Sequence, residues 1–293
     1  MNSREKGFLL LSSHLGDPQR RPLTVSQLRE LEHCVLRSER LDQDRDLLPE
    51  DLLVLGCNGE LAEKVVSLLS DEPLLDAYLQ KGRAVGCIPL TRASEQYPLK
   101  MRKCLDMDAP GCIWLKGNGD LLNRPAVALV GSRNLSDQNE EFARQVGLLA
   151  AQYGLVLISG NARGADTVAQ ESALRAGGCV ISVVADGLSN KRPTDRVLFI
   201  SEDGFDLPFS NQRALSRNRL IHSMAHTVFV AQCSNGTGGT WDGTCRNIRG
   251  QWSDICCMAD GSAAAVKLYK MGVRLITVGK INETIKEISE RFV

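Results

Sequence analysis

The chain has 293 residues, in which 35 Lys and Arg balance 35 Asp and Glu, with a hydrophobic fraction of 43% and a charged fraction of 24%. This composition excludes a disordered or fibrous chain. Zero net charge excludes a protein that coats nucleic acid by bulk charge, so any anion site has to be built locally. No apolar run approaches the length of a membrane span, and the apolar stretch 8–11 is too short for a secretory leader. The ten cysteines contain no C-x-x-C pair and lie mostly in apolar runs. They read as small buried hydrophobes in a reducing, cytoplasmic setting rather than as zinc or thioredoxin-type ligands.

Residues 1–84 read as short helices. A helix over 23–40 places Leu28, Leu31, Val35 and Leu36 on one face, and the same spacing recurs over 47–55 and 61–69. Gly56-Cys57-Asn58-Gly59 breaks the pattern between those two. The stretch 38–51 carries eight charges, six of them acidic, and reads as a solvated face that would repel DNA. The expectation is a small helical (SAM-like) domain over 1–84 that packs or mediates association. A transition follows, with a strand-like run at 84–88, a turn at Tyr97-Pro98, a short strand at 113–117 and a turn at Asn118-Gly119.

From residue 125 the rhythm changes. Apolar runs at 127–130, 156–159, 180–185, 197–200, 227–231, 255–259 and 274–278 alternate with helix-length segments at 138–152, 166–176, 211–224, 240–248 and 262–271. Continuous Val, Ile and Leu runs predict strands buried on both faces, hence a parallel sheet covered by helices. A last helix is predicted over 282–292, capped by Asn282. The fold class is α/β, an extended Rossmann-like doubly wound parallel sheet over 85–293, behind the small N-terminal helical domain.

Ligands of such sheets bind beyond the carboxyl ends of the strands, so the residues after each run are the candidates. Gly131, Ser132 and Arg133 follow the first run and supply backbone access, a hydroxyl and a guanidinium. Ser159, Gly160, Arg163 and Gly164 follow the second, with Asp166 placed to cap the next helix. Arg213, Arg217 and Arg219 fall within seven residues around Asn218. Arg213 and Arg217 are four apart and share a helical face, while Arg217 and Arg219 diverge, one lining a site and the other pairing elsewhere. Gly236, Gly238 and Thr240 form a Gly/Thr loop that feeds a helix and suits a phosphate. That loop lacks the P-loop lysine and the G-x-G-x-x-G spacing, which disfavours an NTPase or a NAD enzyme.

Catalytic and metal signals are thin. There is no G-x-S-x-G elbow. His222 and His226 stand four apart without H-E-x-x-H, so they read as structural, and no metal or cofactor is expected. Phe205, Phe209 and Trp241 flank the arginine and glycine loops, where an exposed ring would stack on a base.

Five motifs in order, Val-Gly-Ser-Arg (130–133), Ser-Gly-x-Ala-x-Gly-x-Asp (159–166), Gly177-Gly178, Asp186-Gly187 and Arg-Asn-Arg (217–219), resemble the DNA-processing protein A family, DprA/Smf. The resemblance is strongest over residues 85–240. It implies a non-enzymatic, cytoplasmic homodimer without membrane contact, which binds single-stranded DNA and hands it to the recombinase RecA in natural transformation. Carried over by residue, it implies a DNA pocket of Gly131, Ser132, Arg133, Ser159, Gly160, Arg163, Gly164, Arg217 and Asn218. The chain departs from the family pattern at Gln170, where the family has His, at 189–193, where it has Tyr-Pro, and at 236–244. The family's C-terminal winged helix is not expected here. The alternative is a nucleotide-binding or nucleotide-hydrolysing protein of the LOG/SLOG type, for which Asp242 is the only acid near the glycine loop; raised by burial, its carboxyl would act as a general acid. A third reading is an oligomerisation scaffold.

Overall fold

Strands covered on both faces need apolar residues at most positions, and the seven predicted runs are predominantly Val, Ile, Leu, Ala and Cys. In a computed structural model, which describes residues 1–36, 46–202 and 204–292, each run forms a strand of one nine-stranded sheet. Five helices come first: α1 Ser3–Ser12, α2 Val25–Leu36, α3 Pro49–Val54, α4 Gly59–Leu69 and α5 Glu72–Ala84. Then follow β1 Ile88–Thr91, α6 Leu99–Leu105, β2 Cys112–Gly117, β3 Ala126–Val130, α7 Asp137–Gln152, β4 Val156–Ser159, α8 Ala165–Arg175, β5 Cys179–Val184 and β6 Val197–Glu202. The rest comprises α9 Asn211–Ser216, α10 Asn218–Met224, β7 Thr227–Val230, α11 Gly238–Gly250, β8 Asp254–Met258, α12 Ala263–Lys270, β9 Arg274–Ile276 and α13 Ile281–Ser289.

Strand order is β1-β2-β6-β5-β4-β3-β7-β8-β9. From β6 to β9 all pairs are parallel, whereas β1–β2 and β2–β6 are antiparallel. The sheet is therefore a parallel Rossmann-like core with a two-strand antiparallel extension on one edge. Alternation along β3 divides the core, because Val127 and Leu129 pack with Phe142, Val146 and Ile285 while Ala128 and Val130 pack with Ile221 and Met224 on the other face. No helix among the described residues is long and apolar enough to cross a membrane.

Three local expectations need correction. Of the run 84–88 only Ile88 is in a strand, as the first residue of β1: α5 runs to Ala84, and Gly86 at φ +72° ends it, with Cys87 N–H donating to Gly82 O (2.8 Å) and Gly86 N–H to Arg83 O (2.9 Å). That is a glycine-based helix cap, and its apolar residues mimic a strand. Asn282 does not cap the last helix. Lys280 is the cap residue, and the Asn282 Oδ1 instead accepts from the Tyr153 hydroxyl at 3.0 Å, tying α13 to the end of α7. The segment 211–224 divides at Arg217 into α9 and α10, although Arg217 N–H still donates to Arg213 O.

The N-terminal helices have a core of their own, built on Leu23, Cys34, Leu52, Leu61 and Val65. A second cluster joins α1 and α5 to the sheet, where the rings of Tyr78, Trp114 and Phe205 lie 4.8–5.2 Å apart. Of the acidic stretch 38–51, residues 38–45 lie outside the described residues; Asp46 and Glu50 are exposed. All ten cysteines are free and none is exposed.

His222 is buried, and its Nδ1 faces the Asn247 amide at 3.1 Å, while Asn247 also donates to Ser253 Oγ. Burial pulls its pKa down to about 3. Between that value and the unfolded value near 6.5, the unfolded chain binds a proton that the folded chain excludes. Stability should therefore fall as the pH drops below 6.5, by about 1.4 kcal/mol per pH unit. Melting the His222→Gln variant across pH 4–7 should show a flatter profile than the parent; identical slopes would remove His222 as the cause.

Candidate functional site

Loops after β3, β4 and β5 converge with the α9–α10 junction on a cleft of about 410 Å³. Arg133 and Asn134 come from the first loop, Gly160–Arg163 from the second, and Asp186 and Lys191 from the third. Phe209, Ala214 and Arg217 close the remaining side. Three guanidinium groups from separate segments therefore share one cleft, in a chain with no net charge to spare.

Arg217 is the buried member, 7% exposed. Its guanidinium lies directly over Gly160, where a Cβ would fall 1.3 Å from Nη1. Nη2 is 3.9 Å from Asp166 Oδ2, yet Nε is buried without a partner, and no side-chain nitrogen of Arg217 makes a hydrogen bond among the described residues. Burial lowers its pKa, against the attraction of Asp166 and with repulsion from Arg133. Asp166 is not the cap of α8, as expected from its spacing; Gly164 at φ +89° holds that position. Asp166 sits in the first turn and reaches back to accept from the Ala162 N–H at 3.1 Å. Burial pushes its carboxyl up, opposed first by Arg217, then by the Ala162 amide and the Ser159 hydroxyl.

Arg133 and Arg163 are both exposed and have no carboxylate partner among the described residues. Lys191 is held by Asp186 at 2.8 Å. The other cluster arginines are spoken for. Arg213 donates from Nε to Ala185 O (3.1 Å) and from Nη2 to Ser201 Oγ (3.0 Å) and Glu202 O (3.2 Å). Arg219 forms a two-pronged ion pair with Glu202. The expected divergence of Arg217 and Arg219 is present, and Arg213 and Arg217 both line a small cavity beside Glu202 and Ser216, where hydrogen bonds hold the Arg213 guanidinium at the ends of β5 and β6.

The remaining candidates frame the cleft rather than line it. Ser159 is fully buried at the end of β4. Gly164 lets the two loops touch, because a Cβ there would meet Ser132 O and Arg133 O at 2.5–2.6 Å, and Ala165 N–H donates to Ser132 O at 3.1 Å. Gly131 packs against Ala165 and Ala231, and its carbonyl accepts from Thr240 Oγ1 at 3.0 Å. Asn218 Nδ2 donates to Gly239 O at 3.0 Å. Gly236, in the turn before α11, and Gly238, its first residue, take positive φ. The Gly/Thr loop thus occupies the switch point between β3 and β7, whereas the cationic cleft is displaced over β4 and β5.

Of the three flanking aromatics, Phe205 and Trp241 are buried, and Trp241 carries Lys267 Nζ 5.0 Å from its ring centroid. Phe209 is 56% exposed on the cleft wall. Asn134, Lys191 and Asp186 were not among the predicted site residues. Lys191 had a signal, since 189–193 follows the third strand and carries two basic residues. Asp242 is half-exposed and ion-paired with Arg246 at 2.9 Å, so the burial that would make it a general acid is lacking. Among the described residues no three His, Cys, Asp or Glu side chains are grouped to hold a metal ion.

An open, mostly parallel sheet with an arginine-lined cleft at its strand ends defines a Rossmann-type protein. Residues 89–246 match the family model for DNA recombination-mediator protein A. The chain is 34% identical over 253 residues to DNA processing protein DprA of Streptococcus pneumoniae, covering 81% of this chain and 86% of that one. It thus belongs to the DNA recombination-mediator protein A (DprA/Smf) family, the proteins of DNA recombination and processing. The crystal structure of the S. pneumoniae protein superposes with a TM-score of 0.71 at 26% identity, covering 96% of both chains. DNA processing protein A from Helicobacter pylori shares the fold over 69% of this chain and 96% of that one, with a TM-score of 0.57 at 22% identity.

Proposed function

We propose that the cleft binds single-stranded DNA without strong sequence preference, and that the chain, as a homodimer, delivers the strand to a RecA-type recombinase during DNA uptake or recombination. The observation that carries this reading is Arg217, a buried guanidinium that makes no side-chain hydrogen bond among the described residues and faces a cleft whose rim holds two more arginines without a carboxylate partner among them. Burying donors without acceptors is costly, and a phosphate oxygen supplies the missing acceptors. Arg133 and Arg163 then track neighbouring phosphates, and exposed Phe209 offers a face on which any base can stack. A family match and one neighbour support the choice of ligand: the model for a DNA recombination mediator over residues 89–246, and the H. pylori protein, solved for its single-stranded DNA binding mode.

The test is a fluorescence-anisotropy titration of short oligo-dT over a range of salt concentrations. Arg133→Ala and Arg163→Ala should each weaken binding and reduce the slope of log K against log salt by about 0.7, the increment for one single-strand phosphate contact. Unchanged slopes in both variants would take the strand out of this cleft. Calorimetry with mononucleotides tests the nucleotide-hydrolase reading, which requires tight mononucleotide binding without DNA affinity.

A further inference from the structure

One wall of the cleft is suspended from the N-terminal helices. Asp186 and Lys191 belong to the segment after β5, and Phe209 to the segment between β6 and α9. The two segments are joined by the Leu188 N–H, which donates to Phe205 O at 2.6 Å, and Lys116 Nζ holds the first through Leu188 O and Ser189 O. Phe205 is buried against Tyr78 and Trp114, and Ser210 is fixed as the cap of α9, accepting from Arg213 N–H. Between these anchors, residues 206–209 make no backbone hydrogen bond among the described residues. Their tether is a side-chain bond: the hydroxyl of buried Tyr78 on α5 donates to Asp206 Oδ1 at 2.6 Å. The surroundings are built around it, since a Cβ on Gly204 would lie 2.9 Å from the Tyr78 hydroxyl, and one on Gly16 would strike the Tyr78 ring at 2.8 Å.

We infer that Tyr78 is a positioning residue of the nucleic-acid cleft, and that its bond to Asp206 holds the base-facing wall, Phe209 above all, opposite the phosphate-facing arginines. The N-terminal helices thereby act on binding at a distance, without presenting a residue to the strand. The inference rests on the single-strand reading and deepens it. A hydrogen bond from a buried hydroxyl to a carboxylate is strong enough to select one loop geometry. The opposite wall, built by the loops after β3 and β4, is fixed independently through Gly164 and Ser132.

The experiment compares the full chain with Tyr78→Phe, Asp206→Ala and Asp206→Asn. Asp206 is exposed, so its replacement by alanine removes the bond without disturbing the aromatic core. Binding is measured to oligo-dT and to an abasic oligomer of equal length, and hydrogen exchange is followed at Leu188 and in the loops 131–134 and 160–165. Tyr78→Phe and Asp206→Ala should each accelerate exchange at Leu188 by about tenfold and weaken oligo-dT binding by a similar factor. Abasic-strand affinity and exchange in the other two loops should stay within about twofold, a split that general loosening of the fold would not produce. Asp206→Asn keeps an acceptor oxygen and should retain the parent behaviour. Unchanged oligo-dT binding in both disrupting variants, or equal losses for the two oligomers, overturns the inference while leaving the Arg217-dependent site standing. Failure of the parent chain to bind either oligomer overturns the single-strand reading, and this inference with it.

Discussion

Gly160→Ala is expected to weaken single-stranded DNA binding by about 100-fold, the loss of one or two hydrogen bonds to charged phosphate. Gly160 does not adopt a positive φ, so backbone strain is not the mechanism. The mechanism is space. The added methyl would sit 1.3 Å from Arg217 Nη1 and 2.1 Å from Cζ, so the guanidinium has to leave. With it goes the deepest cation of the cleft and the charge that partners buried Asp166. The same variant should therefore lose stability, on the order of 2 kcal/mol, because a carboxylate is left buried without its partner. Anisotropy titration and a thermal melt read the two effects separately. A Gly160→Ala protein that binds oligo-dT within threefold of the parent would show that Arg217 is not the anchor.

Arg217→Ala removes the same cation directly, and its stability cost should depend on pH in a defined sense. Burial already raises the Asp166 carboxyl, and Arg217 is the largest influence holding it down. Without Arg217 the folded-state pKa rises further above the unfolded value near 3.8, so the folded chain binds the proton more tightly than the unfolded chain. Stability relative to the parent is then least affected below that value and declines as the pH rises through the folded pKa. The deficit should be greatest at neutral pH, about 3 kcal/mol, the cost of leaving one member of a buried ion pair alone. The double variant Arg217→Ala with Asp166→Asn should recover most of the stability and none of the DNA binding. Recovery of both would make Arg217 a structural residue only; a deficit that grows toward acid would mean that Asp166 is not the group responsible.

Much of the fold was legible because its signals are local. A strand buried on both faces is a nearly continuous apolar run, and a helix between strands repeats at three and four, so seven strands of the parallel core and their helices followed from patterning. The misreadings share a cause. The glycine cap after α5 looked like a strand because packing a helix end and packing a strand call for the same residues. The antiparallel placement of β1 and β2 depends on which edge was free to receive them, and no short window records that.

The amino-acid sequence by itself determined the parallel α/β core, the family, and the short list of arginines and glycines at the strand ends. Only the tertiary structure decided which of those arginines remain available. Arg213, Arg217 and Arg219 are chemically identical and lie within seven residues, yet their partners are chosen by segments distant in the chain: Ala185, Ser201 and Glu202 for Arg213, Glu202 for Arg219, and bare Gly160 with Asp166 for Arg217. The same holds for the aromatics, where Phe205 is drawn into the Tyr78 and Trp114 cluster and Phe209, four residues on, is left facing the cleft. The charge on a side chain belongs to its residue type, but whether that charge is already compensated is a property of the space around it, and only the assembled fold defines that space.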